Sequence, residues 1–151
     1  MAGDTFSVRR CGPSDRAEWI RLRQALWPHV TAQAHAEELA VLIEETQLCG
    51  WLVSDRNGPV VGFAEVSIRP YATGCTQMPV AFLEGIYLET AYRRQGLGRL
   101  LIEQIERDYV AKGFTELCSD APLDNDISHQ AHARWGFDET QRVVYFRKPL
   151  D

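Results

Sequence analysis

The sequence predicts an α/β chain, in the α+β sense of a mixed sheet with helices packed on it, in the order β-α-α-β-β-β-α-β-α-β-β. Three observations predict this. First, Phe82 to Gly98 runs from an apolar strand through a basic, glycine-rich turn into an amphipathic helical pattern. Second, Asn57-Gly58 separates two β-favouring runs, the strongest hairpin signal in the chain. Third, apolar residues at helical spacing alternate with the strands elsewhere. That pattern places one β-α-β unit in the middle and antiparallel hairpins before it and at the end.

In order, Thr5 to Arg10 reads as a strand with Phe6 and Val8 on one face, broken by Gly12-Pro13-Ser14. Ser14 is placed to cap the helix that follows, with Asp15 in its first turn. Trp19, Ile20, Leu22 and Leu26 line one side of that helix, which stops before Pro28. A second helix is expected over His35 to Thr46, with Leu39, Leu42 and Ile43 inward and Glu37, Glu38, Glu44 and Glu45 outward. Trp51 to Ser54 and Val60 to Arg69 are the hairpin strands, and the second alternates imperfectly, as a strand covered on both faces would. Pro70 to Pro79 is a loop long enough to line a site. After the central strand and turn, a helix over Gly98 to Lys112 puts Leu97, Leu101 and Ile105 at four-residue intervals, with Gly113 as its C′ residue. Phe114 to Ser119 is the next strand, Asp120 to Asp126 an acidic loop, and Ile127 to Trp135 the last helix, ended by Gly136. Two short strands are expected to finish the chain, Arg142 to Lys148 being the clearer one.

At 151 residues the chain is expected to form a single domain, residues 1–151. Its apolar content of 45% and charged content of 25% are those of a globular protein. A formal charge of −5 argues against a nucleic-acid binder and suits a cationic small partner better. No apolar run approaches the ~20 residues needed to span a membrane, and MAGDTFSVRR has no apolar leader core. Cys11, Cys49, Cys75 and Cys118 are scattered, with no close pair and no metal-ligand spacing. Reduced thiols in a cytoplasmic protein are therefore expected.

The chemistry begins at Arg93-Arg94-Gln95-Gly96-Leu97-Gly98. A strand, a basic turn and a helix N-terminus aim backbone N–H groups and the helix dipole at one place, which is an anion-binding device. Side chains at 96 and 98 would obstruct an approaching phosphate. Two other phosphate motifs are excluded: no Gly-Lys-Ser/Thr is present, and position 101 is Leu where a dinucleotide fingerprint needs Gly. An ordinary turn with solvated arginines would show the same Gly-x-Gly. Glu84 interrupts the apolar strand, where a carboxylate is costly without a partner such as an arginine, or a job. Asp120 follows the neighbouring strand, and strand ends near such a turn are where reacting groups gather; a turn cap is its alternative. His129 and His132 lie three apart on the last helix, but without a zinc-type ligand set they read as solvated or capping side chains.

Arg-x-x-Gly-x-Gly in this setting resembles the acetyl-coenzyme A pyrophosphate loop of the GNAT superfamily of N-acetyltransferases, and the element order is also that of the GNAT acyl-CoA N-acyltransferase fold. A denser set of matches is similar to one branch, the bacterial aminoglycoside 6′-N-acetyltransferases. These are Leu26-Trp27-Pro28, Gly62-Phe63-Ala64, Ser67-Ile68-Arg69, Phe82-Leu83-Glu84-Gly85-Ile86, Ser119-Asp120 with Asn125 and Ile127-Ser128, Gly136-Phe137, Arg142-Val143 and Tyr145-Phe146-Arg147-Lys148.

The resemblance implies acetyl-CoA as co-substrate and no metal. Coenzyme contacts fall on Arg93, Arg94, Gln95, Gly96, Leu97, Gly98 and Arg99, on the backbone of Ile86, Tyr87 and Leu88, and on Asn125, whose alternative is a locally satisfied helix-start Asn. It implies Glu84 as proton acceptor and Asp120 as the group that orients the amine and protonates the thiolate. An aminoglycoside would be met by Trp27, Tyr71, Glu84 and Asp120, with Asp138, Glu139 and Gln141 as further contacts; a solvated turn explains Asp138 and Glu139 equally well. The alternative for Trp27 and Tyr71 is a core aromatic, the stronger for Trp27, which continues the apolar face of the first helix. Position 141 is Gln where relatives of this branch carry an acid, which weakens one ammonium partner. Many GNAT enzymes use a Tyr near the last helix as general acid, and none occurs between Asp120 and Gly136, where Trp135 stands. A homodimer, joined through the C-terminal strands, is also implied. An acetyltransferase for another polyamine or a peptide amine shares the fold, and a non-catalytic coenzyme A-binding module is the rival of a different class; the acids at 84 and 120 separate the first from the last.

Overall fold

A computed structural model describes residues 5–151. The leaderless reading of the N-terminus rests partly on residues 1–4, which lie outside the described residues. Two compact units are present, one ending at Asp120 and one running from Ala121 to Asp151.

The first unit is built on a five-stranded sheet of β1 (Phe6–Arg10), β2 (Cys49–Asp55), β3 (Val60–Arg69), β4 (Val80–Leu88) and β5 (Leu117–Ser119), in that spatial order. All neighbours are antiparallel except β4 and β5, which run parallel. Helices α1 (Arg16–Leu26), α2 (Ala32–Glu45) and α3 (Leu97–Ala111) complete it. β3 is buried from Val61 to Ser67, which explains its imperfect alternation: both faces are covered. Trp19 and Leu22 of α1 and Leu39 of α2 pack with Leu48, Leu52 and Phe63. On α3, Leu97, Leu101 and Ile105 are fully buried, each stabilising by about 1.5–3 kcal/mol relative to exposure. Gly113, at φ +90°, ends this helix as the spacing predicts.

Several expectations are corrected. Ser14 does not cap α1. Asp15 turns back instead, accepting the Gly12 N–H at 2.8 Å and both Nη atoms of Arg9 at 2.7 and 2.8 Å. α2 starts three residues earlier than its apolar spacing suggests, because Thr31 caps it through the Ala34 N–H at 3.1 Å. β5 is shorter than predicted. Thr115 is drawn off by the Gln77 side chain, and the Glu116 carboxylate accepts the Thr76 and Gln77 N–H groups of the 70–79 loop. That same contact brings two distant cysteines together: Cys75 and Cys118 form a disulfide, against the expected set of unpaired thiols. Cys11 and Cys49 are free.

The second unit holds α4 (Asp126–Arg134), and Gly136 at φ +90° follows it. The two terminal strands are not formed: residues 137–151 carry no strand, and Arg142 to Lys148 is exposed throughout. Val144, Tyr145 and Phe146 are 68, 83 and 93% exposed. β-favouring side chains express a fit to a pleated, half-buried surface, and no ladder partner for this segment occurs among the described residues.

Among the described residues, no helix is long and apolar enough to cross a membrane.

Candidate active site

The site begins at a defect in the sheet. Glu65 pairs with Gly85 and Val66 with Leu83, so Glu84 is an extra residue in β4 with nothing opposite it. Such a bulge re-aims a side chain. Glu84 is thereby only half-buried within a mostly buried strand. Its carboxylate accepts the Ser67 hydroxyl at 2.6 Å and Arg69 Nε at 2.8 Å on Oε1, and Arg69 Nη2 at 2.7 Å on Oε2. The Arg69 guanidinium in turn lies 3.6 Å over the Phe82 ring. An arginine partner and a half-buried carboxylate on the pocket wall therefore coexist.

Gly85, the next residue, lets an aromatic approach. A Cβ there would stand 2.7 Å from Trp27 Cη2 and 3.0 Å from Leu26 Cδ2. Trp27 follows the last turn of α1 and packs over this glycine rather than into the core. Arg23 Cζ lies 5.0 Å from its ring centroid, and its carbonyl is 3.2 Å from His35 Nε2. A pocket of about 440 Å³ opens here, walled by Arg23, Trp27, His35 and Glu38 from the helices and by Glu65, Ser67, Arg69 and Glu84 from the sheet. Arg23 is held in place by Glu65 and Glu38, each at 2.5 Å. Burial pushes the Glu65 carboxyl up, and the Arg23 charge and the Trp19 N–H at 2.8 Å oppose that.

Beyond Leu83 the central strand loses its parallel neighbour. β4 pairs with β5 only from Ala81 to Leu83, opposite Leu117 to Ser119. The Glu89 N–H donates to the Val61 carbonyl, so by the two-residue alternation of an antiparallel ladder Tyr87 faces β3, while Ile86 and Leu88 face the open side. Of the three backbone positions expected to meet a coenzyme arm, Ile86 and Leu88 are the ones whose backbone groups face away from β3.

The turn is shaped for an anion. Gly96 occupies the N-cap position of α3 at φ +81°, with open space where a Cβ would be, and it has no side chain to cap the first amides of the helix. Arg94 also has positive φ, 62°. Arg93 Nε donates to the Leu88 carbonyl at 2.8 Å and Gln95 Nε2 to the Ala91 carbonyl at 3.3 Å. Those two side chains brace the turn behind its amides. Leu97 and Gly98 are buried; Arg94 and Arg99 are exposed. A pyrophosphate fits this cradle: a helix N-terminus with uncapped amides and a glycine-only conformation at its edge.

Asp120, exposed, stands just past Ser119, whose pairing with Leu83 ends the β4–β5 ladder one residue before Glu84; it is not part of the pocket wall. Tyr71 is 71% exposed on the 70–79 loop and is not part of the pocket wall. In the second unit, Asn125 caps α4 through the Ser128 N–H at 3.1 Å, the locally satisfied role. Asp138, Glu139 and Gln141 are exposed there, and pairing with Arg142 holds the Glu139 carboxyl below its usual range. His129 and His132 bond the Pro122 and Ser128 carbonyls at 2.9 and 2.7 Å, as capping side chains do. Sequence reasoning gave no role to Arg23, Glu38, Glu65 or Arg69. Glu38 reads as one more charge on a solvated helix face, and it is exposed; its bond to Arg23 is what puts it on the pocket wall.

The family model described as the acetyltransferase (GNAT) family matches residues 16–137. An aminoglycoside N(6′)-acetyltransferase type 1 of Acinetobacter genomosp. 13 is 44% identical over 135 residues, 89% of this chain and 92% of that protein. Its counterpart in Stenotrophomonas maltophilia is 38% identical over 152 residues, 100% of this chain and 98% of that one. Among solved structures, AAC(6′)-Iy in complex with the bisubstrate analog CoA-S-monomethyl-acetylneamine is similar with a TM-score of 0.87 at 33% identity, covering 96% of this chain and 99% of that one. The aminoglycoside antibiotic 6′-N-acetyltransferase AAC(6′)-Ih from Acinetobacter baumannii gives 0.88 at 37% identity, covering 97% and 99%.

Proposed function

The chain belongs to the acetyltransferase (GNAT) family, and we infer that it transfers the acetyl group of acetyl-coenzyme A to the 6′-amino group of aminoglycosides, a resistance activity. The observation that carries this reading is the pocket. It sets the Glu84 carboxylate and the Trp27 ring around one space, next to the point where β4 and β5 separate.

Acetyl-coenzyme A supplies the acetyl group as a thioester. The amides of the Arg93–Gly98 turn hold its pyrophosphate, and the backbone N–H groups of Ile86 and Leu88 meet the pantetheine arm and the oxyanion that develops on the thioester carbonyl. The 6′-ammonium must lose a proton before its nitrogen can attack. Glu84 accepts it, directly or through water, while Trp27 covers the sugar face. Asp120 orients the amine, takes the proton that the nitrogen sheds after attack, and passes it to the departing thiolate. Attack is direct, in a ternary complex. Burial pushes the Cys11 thiol up to about 12, which removes it as a nucleophile, and the Cys49 sulfur accepts a hydrogen bond from Arg10 at 2.8 Å.

Incubation with acetyl-coenzyme A and a panel of aminoglycosides, polyamines and peptides, followed by thiol release, tests this. Turnover on kanamycin- or tobramycin-like sugars, with none on compounds lacking a 6′-amine, is the expected result. Turnover on peptides alone would replace the substrate; none on any amine would leave a coenzyme-binding module. We further propose a homodimer in the cytoplasm, where acetyl-coenzyme A is available. The exposed run Val144-Tyr145-Phe146 is the surface suited to a second copy, and light scattering during size exclusion reports the mass.

A further inference from the structure

Three carboxylates line the pocket, Glu38, Glu65 and Glu84, together with two guanidiniums, Arg23 and Arg69, and the rings of His29 and His35. Arg69 is committed to Glu84 through both oxygens. Arg23 is shared: Nη1 meets Glu65 and Nη2 meets Glu38. His35 Nδ1 accepts from Arg23 Nε at 3.3 Å, and its Nε2 lies 3.2 Å from the Trp27 carbonyl. Two carboxylates on the helical side of the pocket therefore share one guanidinium.

Glu65 is closed to a ligand amine. Its side chain is 2% exposed, and its two oxygens are taken by Arg23 and by the Trp19 indole N–H. Glu38 is open to one, with a side chain 53% exposed and Oε2 bonded to Arg23 Nη2. A carboxylate has about four acceptor directions. We propose that Glu38 is a specificity-determining residue that binds a second ammonium group of the acceptor, across the pocket from Glu84. This deepens the aminoglycoside reading and rests on it. A diamino sugar then spans the pocket, its 6′-amine at Glu84, the Trp27 ring against its face and another amine at Glu38. Acceptors with a single amine make only the first contact. Glu38 touches no reacting atom, so its effect falls on affinity and not on the chemical step.

The test compares Glu38→Gln with the wild-type chain on two acceptors, a kanamycin-like sugar with several amines and 6-amino-6-deoxyglucose, which has one. Thiol release gives kcat and KM, and calorimetric titration gives Kd without turnover. For the polyamine, KM and Kd should rise about 10-fold in Glu38→Gln, the scale of a charge-assisted bond, with kcat within about twofold. For the monoamine neither should change, and Glu38→Asp should recover most of the polyamine affinity. Equal losses on both acceptors, or no loss on either, would overturn the proposal and leave Glu38 as a partner of Arg23 alone. If the wild-type chain binds the polyamine more tightly than the monoamine through Glu38 yet turns over neither, the subsite stands and the acetyl-transfer reading fails. If it binds neither, both fall.

Discussion

The Arg69 guanidinium clamps the Glu84 carboxylate at both oxygens, Nε to Oε1 at 2.8 Å and Nη2 to Oε2 at 2.7 Å. A side chain on a strand bulge has few neighbours to hold it, and this fork orients the carboxylate proposed as proton acceptor. Replacing Glu84 by Gln should lower kcat by ~10²-fold or more, the range for a general base. Arg69→Ala should lower it about 10-fold by loosening the carboxylate. Both side chains of the pair are partly exposed, at 40 and 25%, so its loss should cost stability no more than about 1 kcal/mol. Steady-state kinetics beside urea titrations check both; unchanged kcat in Glu84→Gln removes Glu84 from the mechanism.

Asp120 is distinguished from a turn residue by its effect on turnover. Asp120→Ala should reduce kcat by ~10²-fold with little change in melting temperature, because the side chain is exposed. Full activity in that variant would assign thiolate protonation to solvent.

Gly85 tests how closely Trp27 must sit. In Gly85→Ala the new methyl would meet Trp27 Cη2 at 2.7 Å, so the ring has to move. Overpacking of this kind costs about 1–3 kcal/mol. KM for the acceptor should rise severalfold while KM for acetyl-coenzyme A stays near its original value.

Gly96 gives the opposite split. Its φ of +81° strains any side chain although space around it is open. Gly96→Ala should destabilise the turn by about 1 kcal/mol and weaken coenzyme A binding, read by calorimetric titration, with acceptor affinity unchanged. An unaltered coenzyme A affinity would show that this turn is not the cradle.

Asp15 makes acid stability a local matter. Bonding to Arg9, then to the Gly12 N–H, holds its carboxyl at about 2, below the ordinary 3.8. Its contribution is present above pH 3.8 and is lost as pH falls through 2, because the unfolded chain takes up that proton first. The half-exposed Arg9 limits it to at most about 2 kcal/mol. Between pH 4 and 2, the stability of Asp15→Asn measured by urea titration should fall less steeply than that of the wild-type chain.

Much of this was legible in the residues. The strand, turn and helix from Phe82 to Gly98, the hairpin at Asn57-Gly58 and the buried stripe of α3 follow from spacing and from glycine chemistry within a few residues of each other. The C-terminal strands did not follow. Tyr145 and Phe146 favour β structure, but a strand exists only against a partner edge, and the chain around them does not specify one. The Cys75–Cys118 bond was equally hidden, since 43 residues separate the two and only the clasp of Glu116 on Thr76 and Gln77 closes the distance.

By itself, then, the sequence determined the turn proposed to hold an anion, because Arg93 to Gly98 is one continuous segment whose conformation is decided locally, by which positions lack a Cβ. The acceptor side was decided by tertiary structure. Glu84 is left unpaired by a register shift between β3 and β4, Trp27 packs on the strand beside it because Gly85 has no side chain, and Glu38 joins the pocket wall through its bond to Arg23. Register and helix placement are set by burial summed over residues far apart in the chain, and no local spacing records that sum.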